Sequence, residues 1–399
     1  MTTIYADNAA TTRMSQTAIQ AMLPYMDKIY GNPSSLHSVG QAAMEALTDA
    51  RTRVAKVLGA ANAREITFTS GGSEADNQAI RSAAILGKRK NKTHIISTAF
   101  EHHAVLHTLK KLEKEGFTVT YLDVHENGLV TPEQVEAAIT PETCLVTIMY
   151  ANNEIGTIQP IREIGAVCRK AGVLFHTDAV QAVGHIPVNV QEDNIDMLSL
   201  SAHKFHGPKG VGVLYAKKGI ILSNLIEGGA QERGKRAGTE NLPGIMGMTA
   251  ALEEAVAELP QAMPKLSALR DRLIAGLQEI PHGAVNGDLT HRLPGNVSFC
   301  FEGIEGESLL LLLDDKGVCA SSGSACTSGS LDPSHVLLAI GRPHEVAHGS
   351  LRLTLDAKET TQADVDAIIA AVKDVVEQLR AMSPVWRDLM AGKRQFVIG

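Results

Sequence analysis

Several things are missing from this 399-residue chain, and each absence narrows what it can be. No charge of one sign dominates: 37 basic residues against 44 acidic ones give a formal charge of -7, which argues against a general nucleic-acid surface or an anionic-membrane face. No apolar run is long enough to span a bilayer, and the opening MTTIYADNAA lacks the basic-then-apolar layout of a secretory leader. The expected location is the cytoplasm. Cysteine is scarce. Cys144, Cys168, Cys300, Cys319 and Cys326 are odd in number and show no CxxC spacing, so neither a disulfide framework nor an intrinsic metal site is expected. A reactive thiol remains open to them. There is no internal repeat and no biased tail.

What is present is ordinary for a globular protein: 44% hydrophobic and 20% charged residues, in a chain too long for one average domain. From about residue 60 to 250, the apolar, β-rich runs EITFTS, HIISTAF, CLVTIMYANN, VLFHTDAV, MLSLSAHK and GVGVLYAKK alternate with amphipathic helical stretches. That alternation predicts an α/β fold with a mostly parallel sheet covered on both faces. Polar residues cluster where these strands end, the edge on which open α/β sheets bind ligands. After about residue 250 the texture changes to a long helical pattern in which Pro260 and Pro264 mark an interruption, although a helix could cross between domains there, then short strands and a terminal helix, as in a smaller α+β domain. The expected division is a large domain over 13–256 and a small domain made of 1–12 and 257–399.

Four clusters carry chemistry. In TDAVQ, Asp178 can hold a protonated ring nitrogen and Gln181 can bind a phenolate oxygen, although an Asp in such a turn is more often a helix cap. In SLSAHKFHGPKG, Lys204 sits beside apolar groups that would let it lose its proton and form a Schiff base, although most loop lysines are simply solvated. In SGGSEADN, Gly71, Gly72 and Ser73 precede a helix beginning near Glu74 and make a ready phosphate cradle. In AFEHHAV, His102 or His103 could stack on a flat ring and exchange protons, while metal ligation lacks any further ligand spacing. One group needs a lysine for its aldehyde, an acid for its ring nitrogen and amide-rich phosphate binding: pyridoxal 5'-phosphate.

The segments YADNAATT, GNPSSLHS, FTSGGSEADN, EHHAVL, ANNEIGT, HTDAVQAVG, SAHKFHGPKGVG, GGAQERGKRAGTEN and SSGSACTSG stand in the order found in cysteine desulfurases. The chain resembles the nitrogen-fixation and iron-sulfur-assembly branch of the class V aminotransferase family over nearly its whole length. The resemblance implies a fold-type I pyridoxal-phosphate homodimer. It implies that Lys204 carries the cofactor, Asp178 pairs with the pyridine nitrogen, Gln181 contacts the ring hydroxyl and His102 stacks on the ring. Gly72, Ser73, Ser201 and His203 would hold the phosphate, with Thr239 reaching the partner's phosphate across the dimer. Asn153 and Arg352 would orient the carboxylate of L-cysteine. Gly72 and Ser73 depart from the Ala and Thr common in relatives.

The same resemblance makes Cys326 the nucleophile that takes sulfur from L-cysteine as a persulfide, leaving L-alanine, with His102 helping to deprotonate a thiol. The small residues around Cys326 suit a loop that carries it into the site and out to an iron-sulfur scaffold or other acceptor, where Cys326 would contact a cluster during transfer. The other four cysteines sit in apolar patterns and read as packing. Two rivals stand beside this reading: another class V enzyme, such as an aminotransferase or selenocysteine lyase, and a non-catalytic scaffold on the same fold.

Overall fold

Residues 3–323 and 332–398 are described by the structure, a computed structural model. In chain order the strands are β1 (Ile4–Tyr5), β2 (Ile66–Thr69), β3 (His94–Thr98), β4 (Thr118–Leu122), β5 (Thr143–Thr147), β6 (Leu174–Asp178), β7 (Met197–Ser201), β8 (Gly212–Ala216), β9 (Gly283–Val285), β10 (Asn296–Phe301), β11 (Val318–Cys319) and β12 (Ser350–Thr354). Seven of them form one sheet in the order β2-β8-β7-β6-β5-β3-β4. From β7 to β4 every neighbouring pair is parallel, and β8 runs antiparallel to both β2 and β7. The expected α/β architecture is therefore present.

Why these runs form the sheet is visible in the fate of successive side chains. Ile95, Leu145, Met197 and Leu214 pack on one face against Ala79, Ile80 and Ala83 of the helix Gly72–Lys88 and Leu109 of the helix His103–Lys114. Their sequence neighbours Ile96, Val146, Leu198 and Val213 pack on the other face with Leu47 and Val54 of the helix Ser38–Leu58. Alternate side chains thus serve two cores, which is why the strands read as continuous apolar runs. The sequence did not single out β4 (TVTYL). It is an edge strand whose residues are only partly covered, so it lacks that continuous signal.

A second core gathers Ala6, Leu273, Phe299, Leu353 and Ile368 around the antiparallel strands β9, β10 and β12. The helix Leu242–Gln278 runs between the two cores, with Ile245 and Met248 in the first and Leu266 and Leu273 in the second. Pro260 and Pro264 lie inside it without ending it, so the interruption expected there is absent and the 256/257 boundary falls within one helix. The sheet brings the C-terminal ends of β5, β6 and β7 to one edge, and those ends lead into Asn153, Asp178 and Lys204.

Candidate active site

At that edge lies a cavity of about 650 Å³, a size suited to a small-molecule site. Gly72, Ser73, His102, Asn153 and Asp178 line it, as do Gln181, Ser201, His203, Lys204 and Arg352. Ten residues scattered over 280 positions of sequence thus meet on one wall. Thr239 is not among the lining residues. It borders a smaller neighbouring pocket that shares Ser70 and Gly210 with the main cavity. Cys326 lies outside the described residues.

Lys204 follows β7 in a short 3-10 turn, and its Nζ donates to the carbonyls of Ala9 and Ala10 at 2.5 and 2.8 Å. Its own carbonyl accepts from Nε2 of His185 at 2.9 Å, which fixes the backbone that presents the amine. Gln181 Nε2 also donates to Ala9 O, at 3.0 Å, so the N-terminal segment buttresses two of the predicted ligands. Asp178 is buried at the end of β6 and accepts the Val180 N–H at 2.9 Å. Burial pushes its carboxyl up to about 6, with the Val180 hydrogen bond and the Lys204 charge holding it down. Two further buried acids stand near it. Glu101 is pushed up to about 8 by burial, and Asp76 is raised by burial and by the Asp178 charge. Asp178 is held nearer the ordinary carboxylate range than Glu101, which suits an acid facing a protonated ring nitrogen.

At the opposite end, Gly71 has φ 153° and caps the helix Gly72–Lys88. The first-turn N–H groups of a helix have no carbonyl partner within it; here they open beside Ser201, whose Oγ lies 3.5 Å from where a Cβ on Gly71 would be. The helix starts two residues earlier than the sequence suggested because Gly72 adopts helical geometry directly after Gly71. His203 holds Thr11 Oγ1 through Nδ1 at 3.1 Å and is pushed down to about 4, chiefly by burial. A neutral imidazole, a hydroxyl and helix N-terminal amides make an anion cradle.

His102 caps the helix His103–Lys114: its Nδ1 accepts the Ala104 N–H at 3.1 Å. Burial and the Lys204 charge push it down to about 4, so the ring is neutral at pH 7 and its proton sits on Nε2. With Nδ1 engaged, the neutral His102 ring is an Nε2–H donor in this arrangement. His103 also lines the cavity, its ring 4.6 Å from that of His335, another lining residue, and 5.1 Å from that of His107. Among the described residues no group of three or more His, Cys, Asp or Glu could hold a metal ion.

Arg352, on β12, is 2% exposed although nothing in SLRLTL marks it as different from a surface strand residue. Nη2 donates to Asp7 Oδ1 at 2.9 Å and Nη1 to the Asn153 carbonyl at 3.2 Å, while Nε has no partner among the described residues. A buried guanidinium with an unused donor, facing a cavity, is built to receive a carboxylate.

The family Aminotransferase class-V matches residues 4–368. The chain is 54% identical over 395 residues to cysteine desulfurase IscS of Clostridium botulinum, covering 98% of this chain and 99% of that one. The chain belongs to the cysteine desulfurases of the class V aminotransferase family. Another of these, cysteine desulfurase IscS of Methanosarcina thermophila, is 53% identical over 96% of this chain and 94% of its own. A solved structure described as a NifS-like protein superposes with a TM-score of 0.88 at 39% identity, covering 94% of this chain and all of that one.

Cysteine desulfurases are pyridoxal-phosphate enzymes, and the donor set here fits that group. Lys204 and Asp178 stand in one cavity with the helix N-terminus at Gly72, and a Cβ on Gly71 would meet, within 4 Å among the described residues, the Ser201 hydroxyl alone. Asp7, Thr11 and Glu154 lie in the motifs YADNAATT and ANNEIGT, which by themselves give those residues no role. Their partners, Arg352, His203 and Ser334, lie 180 or more residues away, so no local signal could have shown them. Of the four described cysteines three fit packing, burial pushing the thiols of Cys144 and Cys300 up to about 11 and that of Cys168 up to about 12, whereas Cys319 is only partly covered and donates to Asp314 Oδ1 at 3.6 Å. No helix among the described residues is long and apolar enough to cross a membrane.

Proposed function

We propose that this cysteine desulfurase converts L-cysteine to L-alanine and passes the sulfur, as a persulfide on Cys326, to an acceptor protein for iron-sulfur cluster assembly. It works as a cytoplasmic homodimer, with Thr239 serving the partner subunit's phosphate site. The observation that carries the reading is the convergence of Lys204, Asp178 and Arg352 on one cavity.

Pyridoxal phosphate, when bound, supplies an aldehyde for an amine and a ring that accepts the electron pair released at the substrate α-carbon. Lys204 Nζ would hold the cofactor aldehyde and would move the substrate α-proton. Asp178 would keep the pyridine nitrogen protonated. Gly72, Ser73, Ser201 and His203 would hold the phosphate, Gln181 the ring hydroxyl, and His102 would stack on the ring. Arg352 and Asn153 orient the substrate carboxylate. Cys326, as thiolate, forms an S–S bond to the substrate sulfur as the C–S bond breaks. The electron pair of that bond stays with the carbon that becomes the alanine methyl, and a proton completes it.

The test compares Cys326→Ala with Lys204→Ala, both given L-cysteine and reductant without a keto acid. Lys204→Ala should lose alanine formation and the lysine-bound chromophore, whereas Cys326→Ala should keep the chromophore and lose sulfide. Sulfide and alanine at the parent rate from Cys326→Ala would rule the persulfide route out.

A further inference from the structure

Glu154 lines the cavity beside Arg352 and is 3% exposed, yet neither cofactor nor substrate binding assigns it a task. Its Oε2 accepts the hydroxyl proton of Ser334, which in turn caps the helix His335–Ala339 by accepting from Val336 N–H at 3.1 Å. On the other side stands Gly323. A Cβ there would lie 2.5 Å from Glu154 Oε2 and 2.8 Å from Ser334 Cβ, so the backbone of Gly323 passes directly against both. Two chain positions eleven residues apart therefore meet at one carboxyl, and between them the sequence carries Cys326.

That meeting point is tied to the wall that reads the substrate carboxylate. The Glu154 N–H is held by Asn152 Oδ1 at 2.8 Å, and the carbonyl of Asn153, one residue back, accepts from Arg352. Two residues before Gly323, Ser321 exchanges backbone hydrogen bonds with Arg352, at 2.6 and 3.2 Å, and its Oγ donates to Asp7. Arg352 thus sits within the frame that holds both ends of the segment.

We propose that Glu154 is a positioning residue for sulfur transfer: it accepts from Ser334 and packs against Gly323, described residues on either side of the Cys326 segment. The inference rests on Cys326 being the sulfur acceptor. Burial pushes the Glu154 carboxyl up to about 8, against the Ser334 hydrogen bond and the Arg352 charge, so a neutral side chain of the same shape can replace it.

The experiment mixes pyridoxal-loaded enzyme with L-cysteine for one turnover and follows Cys326 persulfide by mass spectrometry, alongside the absorbance change on cysteine binding. Glu154→Ala should bind cysteine with its absorbance change intact but form persulfide roughly tenfold to a hundredfold more slowly, the scale expected when a reacting group is misplaced by about an ångström. Glu154→Gln, which still accepts from Ser334, should recover most of the rate. Ser334→Ala should slow the same step, and the Glu154→Ala/Ser334→Ala pair should be no slower than the worse single variant. Persulfide at the parent rate in Glu154→Ala, or equal loss of cysteine binding and persulfide formation in Glu154→Gln, overturns the proposal. Should Glu154→Ala fail to fold, Glu154→Gln and Ser334→Ala decide it: additive loss in their combination overturns the proposal. Failure of the underlying reading is separate, because it appears as alanine and sulfide from Cys326→Ala.

Discussion

Arg352 and Asp7, 345 residues apart in sequence, form an ion pair at 2.9 Å in which the arginine side chain is 2% exposed and the aspartate 18%. The pair joins the first strand segment of the chain to β12 and aims the guanidinium into the cavity. Arg352→Lys keeps the charge but loses the fork that reaches Asp7, Asn153 and a carboxylate together, so KM for L-cysteine should rise roughly tenfold or more in steady-state assays. Asp7→Ala leaves a buried cation without its partner and should cost about 3 kcal/mol of stability, read by urea unfolding.

Asp178 should make its presence felt in the cofactor-free protein. Its folded-state value, about 6, lies above the ordinary carboxylate value, so the folded form holds a proton that the unfolded form has lost. Folding stability therefore falls as pH rises from the ordinary carboxylate range toward 6, and stays reduced above it. Asp178→Asn removes that cost. Cofactor-free Asp178→Asn should be more stable than the parent by on the order of 1–3 kcal/mol at pH 7.5 and by less at pH 5, while losing alanine formation. Thermal unfolding at the two pH values checks the first half.

The His206–Asp356 pair works with the opposite sign for its acid. The two side chains meet at 3.0 Å, the Asp356 carboxyl is held down to about 2 against its burial by the His206 hydrogen bond, and the imidazole is raised by the same contact. The Asp356 contribution is present above the ordinary carboxylate range and is lost as pH falls toward 2; the His206 contribution is present below about 6.5 and is lost as pH rises through its higher folded value. Asp356→Asn should therefore lower the melting temperature most near pH 5 to 6, with a smaller deficit at pH 9. An equal deficit at both values would deny the ionic character of the pair.

Gly72 gives a packing prediction. A Cβ at this position would lie 2.6 Å from Val180 Cγ2. Gly72→Ala should cost about 1–3 kcal/mol through overpacking and weaken pyridoxal-phosphate binding, and Val180→Ala in the same chain should restore most of both. Cofactor release measured by absorbance separates the single from the double variant.

Much of this was legible in the sequence because its signals are local. Continuous apolar runs marked the six strands covered on both faces, and the strand-end residues Asp178, Ser201 and Lys204 follow from where those runs stop. The partly covered edge strand β4 gave no such signal. A helix with two internal prolines, Leu242–Gln278, looked interrupted because local propensity cannot register the packing of its two halves into separate cores.

By itself, then, the sequence determined the α/β alternation, the strand-end chemistry and the motifs that place the chain among cysteine desulfurases. These depend on neighbours within a few residues, and side-chain periodicity records them directly. Only the tertiary structure decided that Asp7 buttresses Arg352, that His102 Nδ1 accepts a backbone N–H, that burial raises the Asp178 carboxyl, and that Glu154 accepts from Ser334 beside Gly323. Apart from the His102 cap, each of those facts is a distance or a desolvation between groups far apart in the chain, which no local pattern encodes until folding closes the gap.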